Sequence, residues 1–253
     1  MGVIWQLGVS IMFLSGVVAH HLYPSVGGEL VFVGSYLRTF IGDNSEDISL
    51  TALTGGIGSA PIEGDIVVGA GCSGKDDTSM LPSGYTAVVD YITSVDGDNQ
   101  TSLSIGYKVM GATPDTVMTL PNGSGGSLRA GAGIVSVWRN ANTSSPFDPT
   151  PITTSVSNTV RSNPDPITPV ANNSVVLVFG VGGHTEGGNV DYTSSDLTGF
   201  ITDSESATTS DVIVGYGRVD ATGSEINPAL WGFSGTDSAS FSCVSACVVI
   251  NPT

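Results

Sequence analysis

Residues 103–109 read LSIGYKV, with Leu103, Ile105, Tyr107 and Val109 alternating with Ser104, Gly106 and Lys108. Successive side chains of an extended backbone point to opposite faces, so this spacing gathers four apolar groups on one side and small or polar groups on the other. Such a segment is expected to be a half-buried strand of an antiparallel sheet, apolar side inward. Comparable short apolar runs, each ending in turn residues, lie at 29–40, 47–53, 65–68, 85–91, 116–120, 133–138, 175–181, 211–219 and 239–250. No window of a dozen residues carries a 3.6-residue period, and no internal repeat of fixed period is visible.

The composition agrees with this pattern. The chain of 253 residues holds 34 Gly and 13 Pro, with only 12% charged residues, and Ser, Thr, Asn and Asp fill the gaps between apolar runs. These residues favour turns and compete with helices, while 40% apolar residues suffice to offset the entropy of ordering. DGDN at 96–99 and PNGSGG at 121–126 are expected to be hairpin-type turns. Residues 143–170 hold six prolines and little apolar clustering, as expected of a long connection crossing within one sandwich. The predicted fold is all-β: an antiparallel two-sheet sandwich, a jelly roll or a related form, over residues 29–253.

Residues 1–28 are expected to be an apolar N-terminal arm. MGVIWQLGVSIMFLSGVVAHH has no charged side chain before His20. A secretory signal would lack its basic n-region. A membrane span is weakened by Gln6, Gly8, Gly16 and two serines, and no basic residue flanks it. Val17 and Ala19 would still fit a signal cleavage site, and the three readings stay open; the preferred one is an arm packed against other protein, with Val3, Ile4, Trp5, Leu7, Val9, Ile11, Met12, Phe13, Leu14, Val17 and Val18 as assembly contacts.

Seven basic residues face 23 acidic ones, for a formal charge of −16. That field repels phosphate backbones and anionic headgroups, so neither nucleic acid nor membrane is an expected partner. Cys72, Cys243 and Cys247 lack the spacing of a zinc site. Cys243 and Cys247 would share one face of a strand, about 13 Å apart, too far for a disulfide.

Candidate chemistry is sparse. DIVVGAGCSGKDD at 65–77 approaches a phosphate-binding loop, but Asp76 stands at the hydroxyl position and Pro82 and Gly84 preclude the helix that the motif needs. The stretch is therefore expected to be a glycine-rich loop in which Lys75 is a solvated partner of Asp76 and Asp77. For a serine hydrolase, only His20, His21 and His184 could act as base, His184 lying beside Glu186, and GFSGTDS at 232–238 misses the nucleophile-elbow spacing. With so many acids a carboxylate pair for glycoside cleavage could form in space, yet no pair stands out. Trp138 and Trp231 are expected to pack in the core or at its rim. No cofactor is expected. The aspartates around Asp96 are compatible with a structural calcium ion, although Tyr107 stands where a twelve-residue calcium loop ends in glutamate.

In order, GDIVV, PSGYTAVVDY, LSIGYKVM, AGIVSVWRNA with its acidic, proline-rich continuation, and SVVLVFGV resemble a β-sandwich of bacteriophage structural proteins of the tail or capsid surface. The resemblance covers residues 29–181. It implies a non-enzymatic virion component whose partners are other virion subunits in a homo-oligomer, with a host surface glycan as a further partner. The alternative is a secreted or surface-anchored module that binds glycans through its loops, and an extracellular hydrolase ranks last.

Overall fold

The computed structural model describes residues 28–253 except 43, 59, 75–78, 97–98, 122–129, 149, 158–160, 185–189, 208–209, 222 and 235–241. The arm up to residue 27, with all its proposed contact residues, therefore lies outside the described residues. In chain order the strands are β1 (Val31–Ile41), β2 (Glu46–Ser49), β3 (Ile66–Ser73), β4 (Thr86–Asp96), β5 (Asn99–Val109), β6 (Val117–Leu120), β7 (Ala130–Arg139), β8 (Ile152–Ser157), β9 (Val175–His184), β10 (Tyr192–Thr193), β11 (Thr198–Ser206), β12 (Asp211–Asp220), β13 (Gly232–Phe233) and β14 (Ser242–Ile250). No helix occurs among the described residues.

Two five-stranded antiparallel sheets form the expected sandwich. The first has the order β1-β7-β3-β5-β4 and the second β8-β14-β9-β12-β11. Their facing sides share one core, in which Leu103, Ile105 and Ile134 of the first sheet meet Phe179, Val214 and Val244 of the second. The chain completes the first sheet before it enters the second, so residues 140–151 make the crossing.

The two sheets repeat one connection scheme. In each, the first strand pairs with the last, the last with the second to be laid down, and that one with the far member of a hairpin. The register carries the likeness to single residues. Gly69 is opposite Gly106 and Val68 opposite Tyr107 in the first sheet, as Gly180 is opposite Gly215 and Phe179 opposite Tyr216 in the second. Each hairpin opens on a left-handed glycine followed by an aromatic residue, Gly84 (φ 76°) with Tyr85 and Gly199 (φ 59°) with Phe200. The sequence shows no repeat of fixed period, yet the topology repeats. Equivalent glycines fall at 69, 84 and 106 in one half and at 180, 199 and 215 in the other, so unequal connectors erase any fixed period.

Both sheets are also covered on their outer faces, which corrects the half-buried reading of LSIGYKV. Leu103 and Ile105 face the shared core as expected, but Ser104 on the other side is buried and accepts a hydrogen bond from the Met80 amide at 3.0 Å. A second apolar layer forms where the β2-β6 ribbon covers the first sheet, and a third where β10, β13 and Trp231 cover the second. Strands buried on both faces read as near-continuous runs of apolar and small residues, as in AGAGIVSVW and SCVSACVVI.

The glycine-rich stretch at 69–73 is corrected as well: it is not a loop but the buried interior of β3. A Cβ at Gly69 would lie 2.2 Å from Met118 Sδ, and one at Gly71 would lie 2.1 Å from the Met80 carbonyl oxygen. These glycines admit the covering layer. Lys75, Asp76 and Asp77 fall outside the described residues. Asp96 and Asn99 pair across the end of the β4-β5 hairpin, as expected. The turn expected at 121–126 falls, from residue 122 on, outside the described residues; the strands before and after it, β6 and β7, belong to different sheets. The proline-rich segment contributes β8, an edge strand that sequence reading missed.

Candidate functional site

The two poles of the sandwich differ. At one, hydroxyls and a carboxylate stitch the sheets together: Thr101 and Ser242 share a 2.6 Å hydrogen bond, and Thr39 donates to Asp203 Oδ2 at 2.9 Å. His184 ends β9 here, opposite Asp211; Glu186 lies outside the described residues.

The other pole is where the described chain enters and ends. Asn140, in the left-handed region at φ 60°, donates from its side-chain amide to the Glu29 carbonyl at 3.1 Å, and its own carbonyl accepts from the Thr253 amide at 3.1 Å. Beside it the Arg139 guanidinium makes two 2.9 Å hydrogen bonds to the buried Asp65 carboxylate. That partner holds the Arg139 pKa above its usual range. Asp65 also accepts the Ile62 amide at 2.9 Å, so this forked ion pair fixes the loop before β3 to the end of β7.

Between the sheets at this pole opens a cleft of about 380 Å³, lined among others by Glu29, Phe32, Trp138, Asn173, Arg218 and Asp220. From Trp138, one of its lining residues, a buried polar chain bridges the sheets: Trp138 Nε1 donates to Ser136 Oγ at 2.8 Å, and Ser136 Oγ shares a 2.6 Å bond with the Tyr216 hydroxyl. Burial pushes the Tyr216 hydroxyl up to about 12, against the opposing pull of the Ser136 hydrogen bond and the Arg218 charge. Phe32 packs against Trp138 with ring centroids 5.1 Å apart and ring planes tilted by 46°. Over Phe32, 3.8 Å from its centroid, lies the guanidinium of Arg218.

Arg218 is the unusual residue. It follows Tyr216 by two along β12 and so points inward, where the equivalent register position of the first sheet holds Val109. Among the described residues no carboxylate comes within 4.0 Å of it, and its buried Nη1 has no hydrogen-bond partner. Gly199 leaves the room: a Cβ there would lie 2.2 Å from Nη1. Sequence reasoning missed this residue although the signal was present, because the alternation in VIVGYGRV places Arg218 on the inward face of its strand.

The remaining candidates resolve as packing. Trp138 and Trp231 are buried, at 2% and 1% exposure. Cys72, Cys243 and Cys247 are buried free thiols. Burial raises all three, with Cys243 and Cys247 pushed up to about 12. Thiols held in this neutral form are poor nucleophiles and poor metal ligands. No group of three His, Cys, Asp or Glu side chains placed to hold a metal occurs among the described residues.

Comparison with protein-family models, with known proteins and with solved structures yields no match for this chain.

Proposed function

We propose that the protein is a non-enzymatic structural subunit of a bacteriophage particle, of the tail, fibre or capsid-surface kind, that docks to neighbouring subunits through its N-terminal arm. The phage setting rests on the resemblance in segment order. The observation that carries the docking role is the seat of Gly28 and Glu29 on Asn140, the same residue that receives Thr253. Gly28, where the described residues begin, thus lies at one pole of a sandwich whose two sheets each carry an apolar layer on the outer face. In the arm, Ile4, Trp5, Leu7, Phe13 and Leu14 supply what a neighbouring subunit can bury, at roughly 1.5–3 kcal/mol for each large side chain.

Deleting residues 1–22 tests this. The truncated chain is expected to keep the far-UV circular dichroism and thermal midpoint of the full chain, while sedimentation shows the assembled species replaced by monomer. Assembly of the truncated chain with unchanged stoichiometry would refute the docking role.

A further inference from the structure

We infer that the cleft bordered by Phe32, Asn173 and Arg218, with Glu29 and Asp220 at its rim, binds a neutral saccharide residue. The inference goes beyond the docking role and does not depend on it. The 27 residues before Gly28 can reach about 90 Å when extended, so attachment through them leaves room for the cleft to stay open.

The chemistry of the lining selects the ligand class. At about 380 Å³ the cleft lies within the roughly 300–1,000 Å³ range of small-molecule sites. It offers donors from Arg218 and Asn173 and charged acceptors from Glu29 and Asp220. A sugar hydroxyl both donates and accepts, so adjacent hydroxyls can use both kinds of group at once. Hydrogen bonds to ionised groups are the stronger ones, and Arg218 makes no salt bridge among the described residues; its Nη1 is buried, so the remainder of the guanidinium is what a ligand can use.

Charge decides between a neutral and an acidic sugar. Two rim carboxylates outnumber the one guanidinium, and the chain as a whole carries −16. An anion entering the cleft meets net repulsion, whereas a neutral ring does not. The aromatic faces set the strength. Arg218 occupies one face of Phe32, which also packs at a tilt against Trp138, itself 2% exposed, so little aromatic surface is left for the sugar to stack upon. Binding therefore rests on hydrogen bonds and falls in the millimolar range, as for a shallow site without an aromatic platform.

The position is also pre-organised. Ser136 pins the Trp138 indole, Trp138 supports Phe32, and Phe32 supports Arg218. Asn173 presents its side chain from a backbone at φ 63°, a conformation that costs energy for a residue with a Cβ and persists where the surroundings enforce it.

The test is nuclear magnetic resonance titration of the full chain with the methyl glycosides of glucose, galactose and mannose, and with methyl glucuronide as the acidic control. The expected result is a saturable shift of the Trp138 indole N–H and the Arg218 Nε–H with at least one neutral glycoside. Asp220→Asn and Arg218→Lys should each weaken binding about tenfold or more, a change of roughly 1.4 kcal/mol. Should Arg218→Lys lose its fold, Asp220→Asn decides alone, because Asp220 is exposed at the strand end. The inference is overturned if no neutral glycoside moves these signals, if only the glucuronide does, or if Asp220→Asn binds as the parent chain does. None of these outcomes bears on the truncation assay, so the two proposals fail separately.

Discussion

The two halves of the sandwich follow one scheme of strands yet fill it differently. In the first, the outer face around Gly69 is covered by Met118, Tyr85 and Pro82, supported by the β2-β6 ribbon. In the second, the equivalent Gly180 is covered by Trp231 and Ser162, and the ribbon shrinks to a single bridge between Ile167 and Ile226. A large rigid ring replaces a ribbon with a flexible thioether. Trp231 is held edge-on by Tyr192 and Phe200, with centroids 5.2 and 5.0 Å away. The same backbone thus accepts two kinds of cover, provided that glycine stands beneath each.

The largest test is whether the halves unfold as one. Their facing sides form a single core, so heating or urea should give one cooperative transition, with circular dichroism and tryptophan fluorescence coincident. Two separated transitions would mean that each half is a stable unit by itself. Trp231→Ala should then lower stability by about 3–5 kcal/mol in urea titration, and Met118→Ala by an amount near the low end of about 2–5 kcal/mol. Equal losses would show that the two covers are interchangeable.

Alkali sharpens the comparison through the thiols. A buried thiol is held neutral, so Cys243 and Cys247 titrate near 12 in the folded protein against 9.0 when unfolded. Between pH 9 and pH 12 the unfolded chain has lost protons that the folded one keeps. The stabilisation is complete below pH 9 and is lost as the pH rises through that window. The double variant Cys243→Ala, Cys247→Ala should flatten this loss in a series of urea midpoints against pH. An unchanged slope would place the alkaline weakness elsewhere.

Smaller effects separate the glycines. An alanine methyl at Gly180 would press on the Trp231 ring at 2.5 Å, which has nowhere to turn. At Gly69 it would meet the Met118 sulfur at 2.2 Å, which can swing aside. Gly180→Ala is expected to cost about 2–3 kcal/mol and Gly69→Ala about 1 kcal/mol, and the reverse order in urea midpoints would contradict this account. Least of all should change with Arg218→Val, which gives the second half the residue type of Val109 in the first. The lost stacking on Phe32 is offset by removal of an unpaired buried Nη1, leaving a net change below about 1 kcal/mol. A larger drop in thermal midpoint would make Arg218 a structural brace.

Much of the sandwich was legible because inner-facing residues alternate along each strand, as in LSIGYKV and SCVSACVVI. Edge and short strands were not. β8 lies among prolines and pairs on one side only, while β10 and β13 span two residues each and owe their form to Trp231 beneath them. The glycines of β3 misled in the other direction. Glycine marks a loop when φ must be positive, but it also marks a strand interior where a neighbour comes too close for a Cβ.

The sequence by itself determined the class of fold, the inward faces of the long strands and the solvating acidic charge, because alternation and composition act locally and over the whole chain. Only the tertiary structure decided that both outer faces are covered, that two sheets repeat one scheme, and that Arg218, Phe32 and Glu29 meet at one pole. Those features depend on pairing between residues far apart in the chain, such as 32 with 218, and connectors of unequal length hide that pairing from any local pattern.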